Sequence, residues 1–258
     1  DYGSPYLPAD KQSQIYVDYQ LGLLKTLQRI RAKYPKLVIQ DCSSGGGRIN
    51  YGMLPYFDEF WGSDDTDAKM RLFIQWGELN YFPAMAIAAH VSAERNHQTG
   101  RVTPIKFRLD VAMTGRLGME LQPSQMSKAD FAFAKRGIAA YKQIRDVVQL
   151  GDLYRLHSPY EGDGVASLMY VSNDKSRAAF FAYNYNYLFN QKIPSVQLGG
   201  LDPNRNYRIK ELTPWDEKRP CSLDGKVISG KTLMEVGLNL RSLINYNDAS
   251  VALELTEE

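Results

Sequence analysis

The chain has 258 residues, room for one large domain or one and a half. Hydrophobic residues make up 44% and charged residues 23%, and the net charge is +2 with no Lys/Arg run, which excludes the signature of a nucleic-acid binder. No apolar stretch reaches the ~18 residues of a membrane span.

The first residue is Asp1 rather than Met, as expected of a processed product or a fragment. No signal peptide is visible, which leaves a cytoplasmic or periplasmic location open. Cys42 and Cys221 lie far apart and are expected as free thiols. The 17 tyrosines suit stacking on sugar rings, and equally an ordinary core.

Asp10 can cap a helix over residues 10–34, with Tyr16, Tyr19, Leu23, Leu27, Ile30 and Tyr34 on one face and Pro35 as its stop. Leu37-Val38-Ile39-Gln40 reads as a short buried strand ending in Asp41-Cys42 and a glycine run. Residues 57–61 form a second strand candidate, followed by a helix over 68–76. An apolar run covers 83–91, a helical segment 103–114 and a strand 117–121. Ser127 can cap a long helix to about Leu150, with the stripe Phe131, Ala134, Ile138, Tyr141, Ile144 and Val148. Strand, loop and helix in repetition imply parallel strands with crossover helices, either half of a (β/α)8 barrel or a small doubly wound sheet.

The character changes near Gly151. Short β-type runs at 167–171, 178–183, 195–198, 207–211, 232–236 and 250–255 are separated by turn signals such as Asp202-Pro203-Asn204 and Asp224-Gly225. That pattern reads as an antiparallel β-sandwich.

The densest chemical cluster is Trp61-Gly62-Ser63-Asp64-Asp65-Thr66-Asp67, where a strand ends and a helix begins. In α/β barrels that end carries the active site. Crowded carboxylates raise at least one pKa, as a general acid requires. The same residues also suit a helix start, with Ser63 or Asp64 as cap and Asp65 and Asp67 in the first turn. The two uses are compatible, since Asp67 can cap the helix while Asp64 does the chemistry. Asp65-Thr66-Asp67 also carries the Asp-x-Asp pattern of metal-dependent glycosyltransferases, a weak signal, and the segment lacks the glycine and distal glutamate of an EF-hand.

A second cluster is Asp41-Cys42-Ser43-Ser44-Gly45-Gly46-Gly47-Arg48. It is neither a Walker loop nor GxGxxG, so phosphate binding is not indicated. Its glycines permit either a tight turn or close approach of backbone N–H groups to sugar hydroxyls, with Arg48 fixing the loop. Cys42 has no histidine near it in sequence to make it a nucleophile. His90, His97 and His157 lack metal-ligand spacing.

These two clusters closely resemble two signatures of glycoside hydrolase family 36, whose members are mainly α-galactosidases. Further matches follow in order: Ile74-Gln75-Trp76-Gly77, Ala89-His90-Val91-Ser92, Asn96-His97-Gln98-Thr99 and Gly151-Asp152-Leu153-Tyr154-Arg155-Leu156. The resemblance runs from about Ser4 to at least Pro159 and is weaker beyond, where the family ends in a β-sandwich. It implies an α/β fold: the C-terminal half of a (β/α)8 TIM barrel over residues 1–155, then an antiparallel β-sandwich over 156–258. It also implies a retaining mechanism in which Asp64 is the general acid/base. Trp61, Cys42, Gly45 and Gly46 match residues lining the galactose pocket. With Arg48 and Asp65 they make up the expected substrate-binding set.

The family's nucleophile sits in a Lys-Trp-Asp motif, which this sequence lacks. The Trp215-Asp216 pair follows Pro214 in the sandwich region and reads as a decoy. The nucleophilic aspartate is therefore expected upstream of residue 1, and the chain alone is expected to be inactive. Expected partners are α-galactoside oligosaccharides such as melibiose and raffinose, with no nucleic acid, no membrane, no metal and no cofactor. The complete enzyme is expected to be a homo-oligomer. A galactosyl transferase of the same family and a sugar-binding remnant without turnover are the alternatives.

Overall fold

The computed structural model describes residues 3–258. Helix α1 spans Gln14–Lys33. Asp10 does not cap it: Asp10 lies in a separate 3-10 turn, Ala9–Lys11, and the N-cap is Ser13, whose side chain makes no cap bond. Of the expected apolar stripe only Leu27 is fully buried, while Tyr19 and Tyr34 are about half exposed.

Four short strands follow: β1 Gln40–Asp41, β2 Glu59–Phe60, β3 Ala88–Ser92 and β4 Arg116–Glu120. β1 pairs with β2 and β3 with β4, both in parallel, and a single parallel bridge between Phe60 and Ile87 joins the two pairs. The strands therefore run in chain order as one arc. Helix α2, Ala68–Glu78, connects β2 to β3; α3, Ile105–Ala112, connects β3 to β4; α4, Lys128–Leu150, follows β4. This is the β-then-α repeat of a barrel wall. Leu37 and Val38, expected in a buried strand, are 49% and 65% exposed. The reason is that β1 has β2 on one side only, so its edge lies open.

All eight residues of α3 are buried, because it packs against α2, β3, α4 and the second sheet at once. Ser127 caps α4 as expected, its hydroxyl accepting from the Asp130 N–H at 3.0 Å. The buried face of α4 is shifted from the expected stripe: Phe133, Gly137, Ala140 and Val147 join Ala134, Tyr141, Ile144 and Val148, while Phe131 is exposed.

The C-terminal part is built on β5 Asp152–His157, β6 Val165–Val171, β7 Arg177–Asn184, β8 Ser195–Val196, β9 Asn206–Glu211, β10 Val227–Ser229, β11 Leu238–Asn239 and β12 Ala249–Glu257. Six of them form an antiparallel sheet in the order β10-β9-β12-β7-β6-β5, and β8 pairs with β11 in a small second layer. The expected division at residues 155 and 156 falls inside β5, which already pairs with β6.

Side chains alternate across the sheet. Leu168, Tyr170, Phe181 and Tyr183 face α3 and α4, while Met169, Val171, Phe180 and Val251 share the other core with Val196, Leu233 and Leu238. With both faces covered, every residue of β6 is buried. The run 232–236, expected as a strand, lies mostly in helix α5, Gly230–Glu235. Ser229 caps that helix, its hydroxyl accepting from the Thr232 N–H at 3.1 Å.

Candidate active site

The site begins where β2 ends. Residues 61–67 link β2 to α2, and Asp67 is the N-cap, its Oδ1 accepting from the Lys69 N–H at 2.9 Å. Asp65 is spent on the turn itself, its Oδ1 accepting from the Asp67 N–H at 2.9 Å. Asp64 is exposed at the crest of the loop. The Trp61 indole N–H donates to Asp64 Oδ1 at 3.1 Å, and among the described residues Oδ2 takes no hydrogen bond. The cap and the exposed carboxylate thus fall on different residues.

A carboxylate pushed up by its neighbours was expected here; Asp67 instead goes down. Burial raises its pKa, but hydrogen bonds from the Thr99 hydroxyl, the Lys69 N–H and Arg101, together with the charge of Arg101, outweigh burial.

The loop after β3 holds this loop in place. Gln98 accepts from the Thr66 N–H at 2.9 Å and donates to the Asp64 carbonyl at 2.8 Å. Asn96 donates to the Thr66 hydroxyl at 2.9 Å and accepts from the Gln98 and Thr99 N–H groups. Thr99 and Arg101 each donate to Asp67 Oδ2 at 2.6 Å. At the end of β3, the Ser92 hydroxyl donates to the Thr66 carbonyl at 2.8 Å. Sequence reasoning gave these residues no role, although Asn96-His97-Gln98-Thr99 stood out as a motif. Their polar run among apolar strands was the available signal.

The glycine run lies directly against the same loop. Gly45 is left-handed, with φ +75°, and a Cβ there would stand 2.7 Å from Ser63 Cα. One on Gly46 would stand 3.0 Å from the Gly62 carbonyl. The glycines permit contact between two loops as well as a turn. Arg48 donates to the Cys42 carbonyl at 3.2 Å and to the Tyr19 hydroxyl at 2.6 Å, so it ties the run to α1. Cys42 is exposed beside it, and both Cys42 and Cys221 are free. Behind Cys42, Asp41 is buried with neither oxygen hydrogen-bonded among the described residues. Burial raises its pKa and the charge of Arg48 opposes the rise.

Trp61 was expected to line the galactose pocket. It is only 5% exposed, stacks on His90 with centroids 4.4 Å apart, and carries the Arg71 guanidinium 4.4 Å from its ring centre. Little of the ring face is left open, and its N–H is spent on Asp64. Arg71 is itself buried and donates to the Ser63 carbonyl at 3.1 Å and the Ala88 carbonyl at 3.0 Å. It fills the gap where β2 and β3 share a single bridge.

Asp67 is committed to its cap, Thr99 and Arg101, so Asp65-x-Asp67 does not present two open carboxylates. Among the described residues no group of three His, Cys, Asp or Glu is arranged to hold a metal ion. Trp215 packs against Phe133 with ring centroids 5.0 Å apart, away from this loop.

A strand–helix arc with a carboxylate at the crest of a loop beyond its strand ends, joined to an antiparallel sheet, is the build of part of a (β/α)8 enzyme barrel with a C-terminal β-domain. The Melibiase family model matches residues 1–151, and that of the glycosyl hydrolase family 36 C-terminal domain matches residues 165–253. The chain belongs to the melibiases of glycoside hydrolase family 36, as the second half of a (β/α)8 barrel followed by a β-sandwich.

It is 40% identical to alpha-galactosidase AgaA of Geobacillus stearothermophilus over 82% of this chain and 29% of that protein. It is 37% identical to probable alpha-galactosidase G of Aspergillus terreus over 92% of this chain and 31% of that protein. Crystal structures of AgaA variants, one with 1-deoxygalactonojirimycin and one with raffinose, each match with a TM-score of 0.86 and 36% identity, over 99% of this chain and 34% of theirs. The chain thus spans about a third of the length of the relatives it matches.

Proposed function

We propose that this chain supplies the acid/base side of a retaining α-galactosidase site. The observation that carries the reading is Asp64: an exposed carboxylate, fixed through one oxygen by Trp61 and through its backbone by Gln98, with its other oxygen taking no hydrogen bond among the described residues. In double displacement that oxygen protonates the leaving sugar's oxygen, then takes a proton from the water that releases galactose. The nucleophile, ~5–5.5 Å away in such enzymes, belongs to a Lys-Trp-Asp segment outside this sequence. Terminal α-galactosides such as raffinose and melibiose are the substrates in this reading. Cys42, Gly45, Gly46 and Arg48 form the wall beside Asp64, while Asp65 and Trp61 act by shaping its loop. The barrel part gives way to the sandwich part at or just before β5.

The test is nitrophenol release from nitrophenyl α-D-galactoside by this chain and by a version extended upstream through Lys-Trp-Asp. Turnover is expected from the extended version alone. Sugar binding without turnover in the extended version would favour a remnant, and turnover by this chain alone would place the nucleophile among its own residues. In the extended version, Asp64→Asn is expected to slow raffinose hydrolysis by roughly 10²–10⁴-fold. Activated aryl galactosides need less acid help and should lose less. Equal and negligible losses on both would remove Asp64 from the role.

A further inference from the structure

Glu78 ends α2, and both its carboxylate oxygens are buried with no hydrogen-bond partner among the described residues. The carboxylate packs onto Gly62, so closely that a Cβ on Gly62 would fall within it. Gly62 sits in the loop that carries Asp64, between Trp61 and Ser63. A buried carboxylate without a donor is costly when ionised.

The charges near it are few. The charge of Arg71, on the same helix, reaches Glu78 with no ion pair between the two among the described residues, and Asp65 and Glu120 also act on Arg71. Arg155 of β5 donates to the carbonyl of the next residue, Leu79. From β3, His90 stacks on Trp61. Burial, opposed by Arg71, pushes Glu78 up to about 7.

Arg71 is the link. Its guanidinium holds the Ser63 carbonyl and lies over Trp61, and Trp61 holds Asp64. We infer that Glu78 is a positioning residue for the Asp64 loop: on ionising it draws Arg71 away from Ser63 and Trp61, and the Trp61–Asp64 hydrogen bond resets with it. The Asp64 loop therefore has two arrangements, one above and one below the titration of Glu78. The inference deepens the proposed function, and its consequence for rate rests on Asp64 being the acid/base. Its structural readout does not use turnover.

The test is the indole N–H resonance of Trp61 in this chain, assigned by its loss in Trp61→Phe and followed from about pH 5 to 9 alongside the Glu78 side-chain carboxyl carbon. Both signals are expected to move with one common midpoint near 7. The Trp61 midpoint should vanish in Glu78→Gln and survive in His90→Gln, which removes the stacked imidazole. Persistence of the midpoint in Glu78→Gln overturns the inference, as does its loss in His90→Gln. Different midpoints for Trp61 and Glu78 in the unaltered chain overturn it without any variant having to fold. In the extended, active version, Glu78→Gln should remove one inflection near neutrality from the kcat/KM profile. A uniform loss at every pH would mark Glu78 as merely structural.

Discussion

Asp67 shows how a cap can be legible in sequence while the charge state of its carboxylate is not. A cap was foreseen among the aspartates of residues 61–67, and Asp67 is that cap. Its pKa goes down rather than up, because Thr99 and Arg101 arrive from a loop more than thirty residues away. Folded Asp67 therefore holds its proton less tightly than the unfolded chain does. It contributes stability above the unfolded value of about 4 that is lost as pH falls through the folded one. Asp67→Ala should cost about 1–2 kcal/mol at neutral pH. The loss should shrink in acid, read as urea midpoints at several pH values. Glu78 has the opposite sign. Its folded pKa is raised to about 7, so stability present below its unfolded value is lost as pH rises through neutrality. Glu78→Gln should therefore gain on the unaltered chain in alkali, by up to about 3 kcal/mol. Equal pH slopes of the urea midpoints would remove Glu78 from this account.

Between elements, α3 is the joint. Its Lys106 donates to the Thr213 carbonyl at 2.6 Å and the Thr213 hydroxyl at 2.9 Å, and lies 3.3 Å from Glu211 and 3.2 Å from Asp110. Asp110 in turn accepts from Thr213 and Ser250, both at 2.7 Å. All these groups are buried, so a barrel helix is tied to the C-terminal sheet by a polar network whose carboxylate and ammonium are both satisfied. Asp110→Ala would leave Lys106 with Glu211 as its remaining counter-charge and take the acceptor from the buried Thr213 and Ser250 hydroxyls; it should cost about 1–3 kcal/mol, read by urea unfolding. A loss under ~1 kcal/mol would show that the network tolerates water. Periodicity could place α3 as a helix. It could not show that Lys106, Arg108 and Asp110 would all be buried, since their partners come from β3, β9 and β12 and the loops beside them.

For the molecule as a whole, the arc of four strands is the dominant fact. It leaves the β1 edge open and Val17, Tyr19, Leu21, Leu37 and Val38 each about half exposed or more. In a closed barrel such an edge is paired and such side chains are covered. This chain should bind an apolar dye such as ANS strongly, and the upstream-extended version should bind several-fold less per mole. Equal dye binding would mean that the added segment does not pack on α1 and β1.

The sequence by itself indicated an α/β fold and a change of character near Gly151, because strand–loop–helix repeats and turn clusters are local signals; the half barrel, and the meeting of the glycine and aspartate loops in one site, came from the resemblance to family 36. It also determined Ser127 as a cap, since a cap is made within one turn. Only the tertiary structure decided which aspartate caps and which stays exposed. That choice is made by Gln98, Thr99 and Arg101 from another loop. The same holds for the fate of residues 37–38, left open by a missing neighbour, and of residues 232–236, helical because of Ser229 and the packing of Leu233. Glu78, unremarkable in sequence, became a site feature only when folding buried its carboxylate against Gly62.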